Sequence, residues 1–161
     1  MFKELDKISE VAGYLWEKGW AEYNGGNISV NVTASLSEEL RNAEPLSGRI
    51  ALPAQLKLLA GELFYVTGTG KRMRDVAGDL WANGAVIRIC DDGRGYEIVY
   101  KENIPPTSEL ASHLFIHHYL REMGRDMKVV LHTHPTDWFT YVFTSFYNLF
   151  CNIFTCVISF F

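Results

Sequence analysis

The chain has 161 residues, the size of a single domain, and 48% of them are hydrophobic, which is enough to form a core and argues against disorder. Its net charge of −4 and the lack of a basic run argue against nucleic acid as a partner, because binding to a phosphate backbone requires clustered Lys and Arg. A small anionic ligand is still compatible, since a few backbone amides can hold one phosphate group whatever the net charge.

The first part of the chain predicts a helix and then a strand. Apolar residues at helical spacing, separated by charged residues and followed by Gly19, indicate an amphipathic helix. These apolar residues are Leu5, Ile8, Ala12 and Leu15. Residues 27–33 alternate apolar and polar side chains, which is typical of a strand. Residues 34–61 show no period, so we expect a long surface insertion there.

The remaining pattern predicts more strands and one long helix. Residues 62–67 form a strand that runs into a glycine-rich loop. Residues 85–90 and 96–100 flank an Asp-Gly pair, which supplies the positive φ angles of a β-hairpin. Residues 107–123 have a helical pattern, and residues 128–131 form a short buried strand. This order predicts an α/β (α+β) domain with a layered sheet and helices on its faces.

Residues 138–161 differ from the rest of the chain, since they contain no charged residue, Gly, Ala or Pro. The segment exceeds the roughly 20 residues that cross a bilayer, so a membrane anchor is one interpretation. It is rich in Thr, Ser and Asn and lacks a basic flank, which favours a second interpretation, a shifted or foreign reading of the coding sequence. We therefore divide the chain into residues 1–137, a domain incomplete at its C-terminus, and residues 138–161, an aberrant apolar tail.

Cysteine content and the N-terminus favour a cytoplasmic location. The three cysteines show no CxxC spacing, which argues against a disulfide framework. Residues 1–11 contain acidic side chains and lack the apolar segment of a secretory signal or transit peptide.

His132 and His134 lie one residue apart at the end of the predicted strand 128–131. Residues two apart on a strand point to the same face, roughly 6.6 Å apart, so both imidazoles can converge on one ion. Zn²⁺ suits imidazole nitrogen, although other divalent metals do as well. An HxH pair alone is equally compatible with a structural or exposed role. Its place at a strand end, where the sites of layered sheets gather, favours a metal-binding pair.

Glu109, His113 and His117 recur every four residues on the predicted long helix and form one stripe. A metal or base role is one interpretation of this stripe. For His113 and His117 we favour the other interpretation, an exposed helix face. Glu109 is better placed for a functional role than the two histidines, because the helix N-terminal amides and the hydroxyls of Thr107 and Ser108 form an anion-binding corner.

Two glycine-containing loops are suited to bind oxygen atoms. The GTGK loop, Gly68–Lys71, follows a strand and its amides can form a phosphate nest, although it lacks the full P-loop pattern. The NGGN loop, Asn24–Asn27, allows close approach of a ligand and offers two side-chain amides. Taken alone, each loop is more typical of an ordinary turn than of a ligand-binding site. The two loops together with the HxH pair and the acidic corner indicate a binding site.

Four motifs, in this order and spacing, resemble the class II aldolase/adducin family. They are NGGNISVNV, FYVTGTGK, PPTSELASH and VVLHTHPT. The resemblance runs from about residue 3 to residue 136 and includes Gly19-Trp20 and the DGRGYEI hairpin. Within the family, the NGGN loop combined with PTSE favours an enzyme that acts on L-rhamnulose 1-phosphate.

The resemblance implies a zinc-dependent, reversible aldol cleavage of L-rhamnulose 1-phosphate into dihydroxyacetone phosphate and L-lactaldehyde. It implies that His132 and His134 bind one Zn²⁺ per subunit, and that Glu109 is a buried acid or base that moves the proton. It also implies a set of phosphate-binding residues, namely Asn24, Asn27, Thr69, Gly70, Thr107 and Ser108. Complete relatives are homotetramers, so the expected partners are copies of the chain and a small sugar phosphate.

The third zinc ligand of the family is expected to be missing. In the family it is a histidine well beyond the HxH motif, and residues 138–161 contain no histidine. The resemblance therefore implies an incomplete zinc site and impaired activity, with His113 or His117 as candidate replacements. The second hypothesis is a non-catalytic, adducin-like binding protein that its apolar tail holds at a membrane.

Overall fold

An antiparallel sheet forms the centre of the fold. The computed structural model describes residues 3–21, 23–36, 38–100, 102–134 and 155–156. The strands are β1 (Asn27–Asn31), β2 (Ile50–Ala51), β3 (Leu63–Thr67), β4 (Gly84–Ile89), β5 (Gly95–Tyr100), β6 (Val129–His132) and β7 (Thr155–Cys156). Within this part of the chain they pair antiparallel in the order β2-β5-β4-β3-β1-β6-β7. Strand β1 is therefore an inner strand between β3 and β6.

Helices pack on both faces of this sheet. They are α1 (Lys3–Glu17), α2 (Glu38–Arg41), α3 (Met73–Gly78) and α4 (Leu110–Glu122), with a 3₁₀ turn at Lys57–Leu59. On one face, the apolar side chains of α1 and α3 form a core with those of the strands, such as Ile28 and Tyr65. On the other face, Leu110 and Leu114 of α4 pack with Phe64 and its neighbours. The predicted layered α/β (α+β) domain is confirmed.

The elements with a clear sequence period occur as predicted. The amphipathic first helix is α1, the long helix is α4, and the short strand before the histidines is β6. The predicted hairpin is β4–β5, and its turn requires a glycine at position 93. Gly93 has a φ of +66°, and a Cβ there would lie 2.8 Å from the backbone of Leu56. The Asp-Gly signal was therefore sufficient to predict this connection.

The prediction of a plain surface insertion at residues 34–61 is wrong in part. This stretch contains α2, the edge strand β2 and the 3₁₀ turn. Strand β2 extends the sheet, with Ile50 opposite Tyr96 of β5. Leu56 and Leu59 are buried in the core under α4. These elements are two to four residues long, which is too short for a periodic pattern to reveal them.

The apolar tail is described at Thr155–Cys156, which form β7 beside β6. The rest of residues 138–161 lies outside the described residues, as does the membrane anchor that this segment suggested. The proposed boundary at residue 137 therefore stays a prediction. Among the residues that the structure describes, no helix has the length and apolar character needed to cross a membrane.

Gly84 of β4 offers a test of how tightly the sheet packs around the Tyr65 ring of β3. A Cβ at Gly84 would lie 2.5 Å from Cζ of Tyr65, a fully buried ring whose hydroxyl donates to the Leu80 carbonyl at 2.9 Å. We expect Gly84→Ala to lower the free energy of unfolding by about 1–3 kcal/mol, as overpacking does. Urea denaturation measures this change.

Gly78→Ala is the matched control. No atom lies within 4 Å of a Cβ at Gly78, the last residue of α3. Since Ala is favoured over Gly in a helix, we expect stability to be unchanged or raised by up to about 1 kcal/mol. Equal losses in the two variants would show that crowding against Tyr65 is not the cause.

Candidate functional site

In the antiparallel sheet, the start of one strand and the ends of its two neighbours lie together at one end of the sheet, and this strand-end side is the edge meant below. The start of β1 lies beside the ends of β3 and β6, and Asn27 is directly opposite His132. The NGGN loop packs closely on this edge, because Gly26 has a φ of +80° and a Cβ there would lie 3.1 Å from the His132 carbonyl oxygen. The GTGK loop follows β3 at the same edge. Both loops and the HxH pair therefore lie at one end of the sheet.

The two histidines of the HxH motif converge. His132 is the last residue of β6, and the His134 amide donates to the Trp20 carbonyl at 2.8 Å. The ring centroids are 4.7 Å apart with an angle of 34° between the planes. Oε2 of Glu109 lies 2.5 Å from Nδ1 of His132. The structure thus brings together the three residues to which the sequence assigned metal binding and proton transfer.

Glu109 is placed by the start of α4. It is the N-cap residue of that helix, but its carboxylate makes no capping hydrogen bond and instead reaches His132. Its side chain is 42% exposed, so the burial expected from the sequence is wrong. At this exposure the carboxylate is accessible to a small molecule while it contacts His132.

The prediction that His113 and His117 lie on an exposed helix face is wrong. Their relative exposures are 1% and 3%. Both rings point from α4 onto β1, where Ser29 Oγ lies 2.8 Å from Nδ1 of His113 and 2.9 Å from Nε2 of His117. The His117 ring also packs at 4.9 Å on Phe64. These two rings of the stripe are buried because the sheet offers a polar partner, Ser29, directly beneath them.

Burial keeps these two rings neutral. Desolvation lowers the pKa of His113 to about 4, although the carboxylate of Glu109 opposes this shift. Desolvation also lowers the pKa of His117 to about 3, and the neighbouring His113 lowers it further. At neutral pH each ring therefore has one N–H donor and one acceptor nitrogen.

The metal-binding potential of the site comes from two imidazoles. Their donor chemistry fits Zn²⁺ or another divalent ion that accepts nitrogen ligands. Both ring nitrogens of His113 are hydrogen-bonded, one to Ser29 and one to the Asn27 amide, so this ring is not free to bind an ion. The described ranges contain no group of three or more His, Cys, Asp or Glu side chains arranged to hold a metal ion.

The GTGK loop is tied to the segment that precedes α4. The Thr69 amide donates to the Pro105 carbonyl at 2.9 Å, and its hydroxyl donates to the Pro106 carbonyl at 2.6 Å. The Thr107 amide donates to the Thr67 carbonyl at 2.9 Å. These bonds bring together two of the predicted phosphate-binding residues, Thr69 and Thr107. They also occupy the amide and hydroxyl protons of Thr69 in internal bonds.

The other predicted phosphate-binding residues differ in their exposure to solvent. Asn24, Gly70 and Ser108 are exposed, whereas Asn27 is 8% exposed and its amide contacts His113. Within the described part of the chain, the N–H groups of Gly70 and Ser108 form no hydrogen bond to protein. Two backbone donors next to the Thr107 corner are therefore available to a ligand.

Sequence reasoning missed a cationic cavity beside the NGGN loop. This cavity of about 310 Å³ is lined by Trp16, Tyr23, Arg72 and Arg74. The Arg74 guanidinium lies over the Trp16 ring, 5.3 Å from its centroid. The signal in the sequence was the KRMR cluster, residues 71–74, directly after the GTG turn. Arg72 lies two residues after Gly70 of the GTGK loop, and Arg74 is ion-paired with Asp75 at 3.4 Å.

Because His113 and His117 are buried, we expect the protein to lose stability in acid. Because both pKa values are lowered on folding, the unfolded chain binds more protons below pH 6.5, so stability is complete above that pH and falls as the pH approaches 4. We expect urea denaturation at pH 5 to give a free energy of unfolding lower than at pH 7 by about 2 kcal/mol for each of the two histidines.

His117→Phe should remove roughly half of this pH dependence, since one of the two buried titrating rings is lost. His118→Gln is the control, because His118 faces Glu122 at 3.7 Å rather than β1. The explanation fails if His117→Phe keeps the full pH dependence, or if His118→Gln loses as much.

Comparison with known proteins identifies the family. The sequence profile described as "Class II Aldolase and Adducin N-terminal domain" matches residues 6–148. The chain is 50% identical over 135 residues to the rhamnulose-1-phosphate aldolase of Bacteroides thetaiotaomicron, covering 84% of this chain and 50% of that protein. It is 35% identical over 134 residues to the protein of the same name from Listeria welshimeri, covering 82% and 48%.

A solved structure has the same fold. The crystal structure of a sugar-phosphate aldolase from Thermotoga maritima aligns with a TM-score of 0.69 and 34% identity, over 86% of this chain and 56% of that one. The chain spans about half the length of the curated relatives it matches. The profile match covers most of the sequence and confirms the resemblance seen in the four motifs. The chain belongs to the class II aldolase and adducin N-terminal domain family.

Proposed function

We propose that this chain supplies the phosphate-binding and metal-binding part of an aldolase that cleaves L-rhamnulose 1-phosphate to dihydroxyacetone phosphate and L-lactaldehyde. The observation that carries the proposal is the cluster of two imidazoles, 4.7 Å apart, with a carboxylate 2.5 Å from one of them. The relatives named rhamnulose-1-phosphate aldolase support the choice of substrate.

Aldol cleavage would break the bond between C3 and C4 of the sugar phosphate. The C4 hydroxyl loses its proton as C4 becomes the aldehyde carbon, and the electron pair of the broken bond stays with the C3 half as an enediolate. Protonation at C3 then gives dihydroxyacetone phosphate. One proton leaves the oxygen on C4 and one arrives at C3, so a single carboxylate can accept the first and deliver the second. Glu109, beside His132 and open to the sheet edge, is suited to both transfers.

The phosphate group would lie at the corner between the GTGK loop and the start of α4. Gly70 and Ser108 offer N–H groups that have no partner within the described residues, and the buried Thr107 beside Ser108 is bonded to the Thr67 carbonyl. Free backbone amides at such a corner favour an anion. Arg72 adds positive charge beside Tyr23, which directly precedes the NGGN loop, whereas Arg74 is ion-paired with Asp75 at 3.4 Å.

His132 and His134 would hold the metal ion, for which we propose Zn²⁺, with one ion per subunit. When bound, the ion would supply Lewis acidity that stabilises the negative charge developing during cleavage. A catalytic zinc site usually has three protein ligands, and the third is not among the described residues. The proposal extends to a homotetramer, which the family resemblance implies, and to the cytoplasm, which the cysteine content favours.

Metal affinity tests the assignment of the ligands. We expect His132→Ala and His134→Ala each to weaken Zn²⁺ binding at least about 100-fold, since even residues behind metal ligands typically change affinity 10–100-fold. Competition with a chromophoric chelator measures this affinity on the purified chain. His118→Ala is the control because His118 contacts Glu122 away from the pair. An equal loss in the control would contradict the assignment.

Turnover tests the proposed reaction. In a coupled assay for dihydroxyacetone phosphate release from L-rhamnulose 1-phosphate, we expect slow turnover that requires added Zn²⁺. Glu109→Gln should lower it about 100-fold or more, because a proton-transfer group is lost, whereas Glu122→Gln at the far end of α4 should not. Zn²⁺ binding without turnover would count against the aldolase and favour the non-catalytic, adducin-like hypothesis.

A further inference from the structure

A buried polar layer between β1 and α4 has no role in the proposed cleavage. It consists of Asn27 and Ser29 of β1 and His113 and His117 of α4, none more than 8% exposed. The Ser29 hydroxyl contacts both imidazoles, and Nε2 of His113 contacts the Asn27 amide. The same amide lies 3.5 Å from Nδ1 of His132. The layer is therefore a continuous chain of polar contacts that ends at a candidate metal ligand.

The inner end of this hydrogen-bond chain favours one direction of donation. Burial lowers the pKa of His117, and the backbone of Met127 acts in the opposite sense, as expected where a ring N–H faces a carbonyl. Because Nε2 of His117 faces Ser29, the donor is Nδ1. A neutral ring has one N–H, so Nε2 must accept the Ser29 hydroxyl proton. Ser29 Oγ must then accept a hydrogen bond from Nδ1–H of His113.

The same direction continues to Asn27. With its proton on Nδ1, His113 has a bare Nε2, and only the NH₂ group of the Asn27 amide can donate to it. An Asn amide fits its site in two orientations related by a half-turn, and its hydrogen-bond partners decide between them. The structure places Oδ1 of Asn27 against Nε2 of His113 and Nδ2 at 3.5 Å from Nδ1 of His132, so donation to His113 requires the half-turned amide, with its oxygen toward His132.

The outer end requires the same orientation independently. Glu109 Oε2 lies 2.5 Å from Nδ1 of His132, so this nitrogen carries a proton that it donates to the carboxylate. A proton on Nδ1 of His132 is compatible with the oxygen of the Asn27 amide and would clash with its NH₂ group. The 2.5 Å contact of the Glu109 carboxylate therefore selects one direction for the whole hydrogen-bond chain, and the Met127 backbone at the other end is compatible with it.

We propose that Ser29, His113 and His117 are positioning residues for His132. Because the hydrogen bonds among them all run in one direction, they turn the amide oxygen of Asn27 toward His132. This holds the His132 proton on Nδ1 and leaves Nε2 free for a metal ion. The use of Nε2 rests on the proposed metal-binding function. The chain also assigns the buried Asn27 side chain to His132, whereas the family resemblance assigns it to the substrate phosphate.

The position of the ring protons is the direct test. Long-range ¹H–¹⁵N correlation spectra of the full chain, labelled with ¹⁵N-histidine and free of metal, identify the protonated nitrogen of each neutral imidazole. For the unmodified chain we expect Nδ1–H in His113, His117 and His132. An Nε2–H signal for His113 would mean that the hydrogen-bond chain runs in the opposite direction and would overturn the inference.

Two variants interrupt the chain at different points. Ser29→Ala removes the acceptor of the His113 proton, and His117→Phe frees the Ser29 hydroxyl to donate in the reverse direction. In both, we expect His113 to shift toward Nε2–H. Asn31→Ser is the matched control, because Asn31 lies on the same face of β1 but donates to Glu62 at 2.7 Å, outside the chain. If one variant fails to fold, as judged from its amide spectrum, the other carries the test.

Zn²⁺ competition titrations of the same variants separate this inference from the proposed function. We expect Ser29→Ala and His117→Phe to weaken binding about 10-fold, the effect typical of residues that orient a metal ligand, and Asn31→Ser to leave it unchanged. Unchanged spectra and affinity in both variants would overturn the positioning role. If the unmodified protein binds no Zn²⁺, the proposed metal site fails instead. The spectra alone then decide the direction of the hydrogen-bond chain.

Discussion

The polar face of β1 is covered by α4, so each polar side chain on it must find a hydrogen-bond partner inside the protein. Ser29 serves two imidazoles, and Asn31 donates to Glu62. A buried group left without a partner costs about 1–3 kcal/mol, whereas a made bond contributes about 1 kcal/mol, so this layer acts mainly by excluding other positions of α4. The candidate site depends on that exclusion.

The fixed position of α4 places the acid of the site. His113 is held on Ser29, and Glu109 lies one helical turn before it, above the end of β6. A second anchor lies at the other end of the helix, where Arg121 donates to Glu62 at 2.8 Å. With both ends attached to the sheet, the Glu109 carboxylate has little freedom to move along it. A partly exposed acid is thereby held beside His132 without being buried itself.

Sequence patterns were sufficient for the parts of the fold that follow from local chemistry. The period of α1, the Asp-Gly turn of the hairpin and the apolar run of β6 each depend on neighbouring residues. The HxH spacing likewise predicted two rings that lie close together. The environment of His113 and His117 was not predictable in this way, because their partner, Ser29, lies 84 residues before His113. A helical stripe shows which residues share a face, but not what the sheet places against them.

The exposure of Glu109 and the small elements in residues 34–61 were missed for a related reason. Burial of a carboxylate depends on the loops around it, and the loops at this edge leave the acid open. Leu56 and Leu59 are buried because they pack with residues of β4 and α4 that are distant in sequence, which their isolated place in the sequence does not reveal. Local patterns therefore located the candidate residues, and the long-range pairing of β1, β3 and β6 determined their surroundings.

Thr67 shows how the phosphate corner and the histidine pair are held relative to each other. Its carbonyl accepts from the Thr107 amide at 2.9 Å, and its side-chain oxygen accepts from the Ile28 amide at 3.1 Å. Ile28 follows Asn27, which pairs across the sheet with His132. A single strand residue thus links the start of α4 to the strand that carries the buried polar layer. Since these links run through paired strands rather than long loops, the two halves of the site are held at a set separation before any ligand arrives.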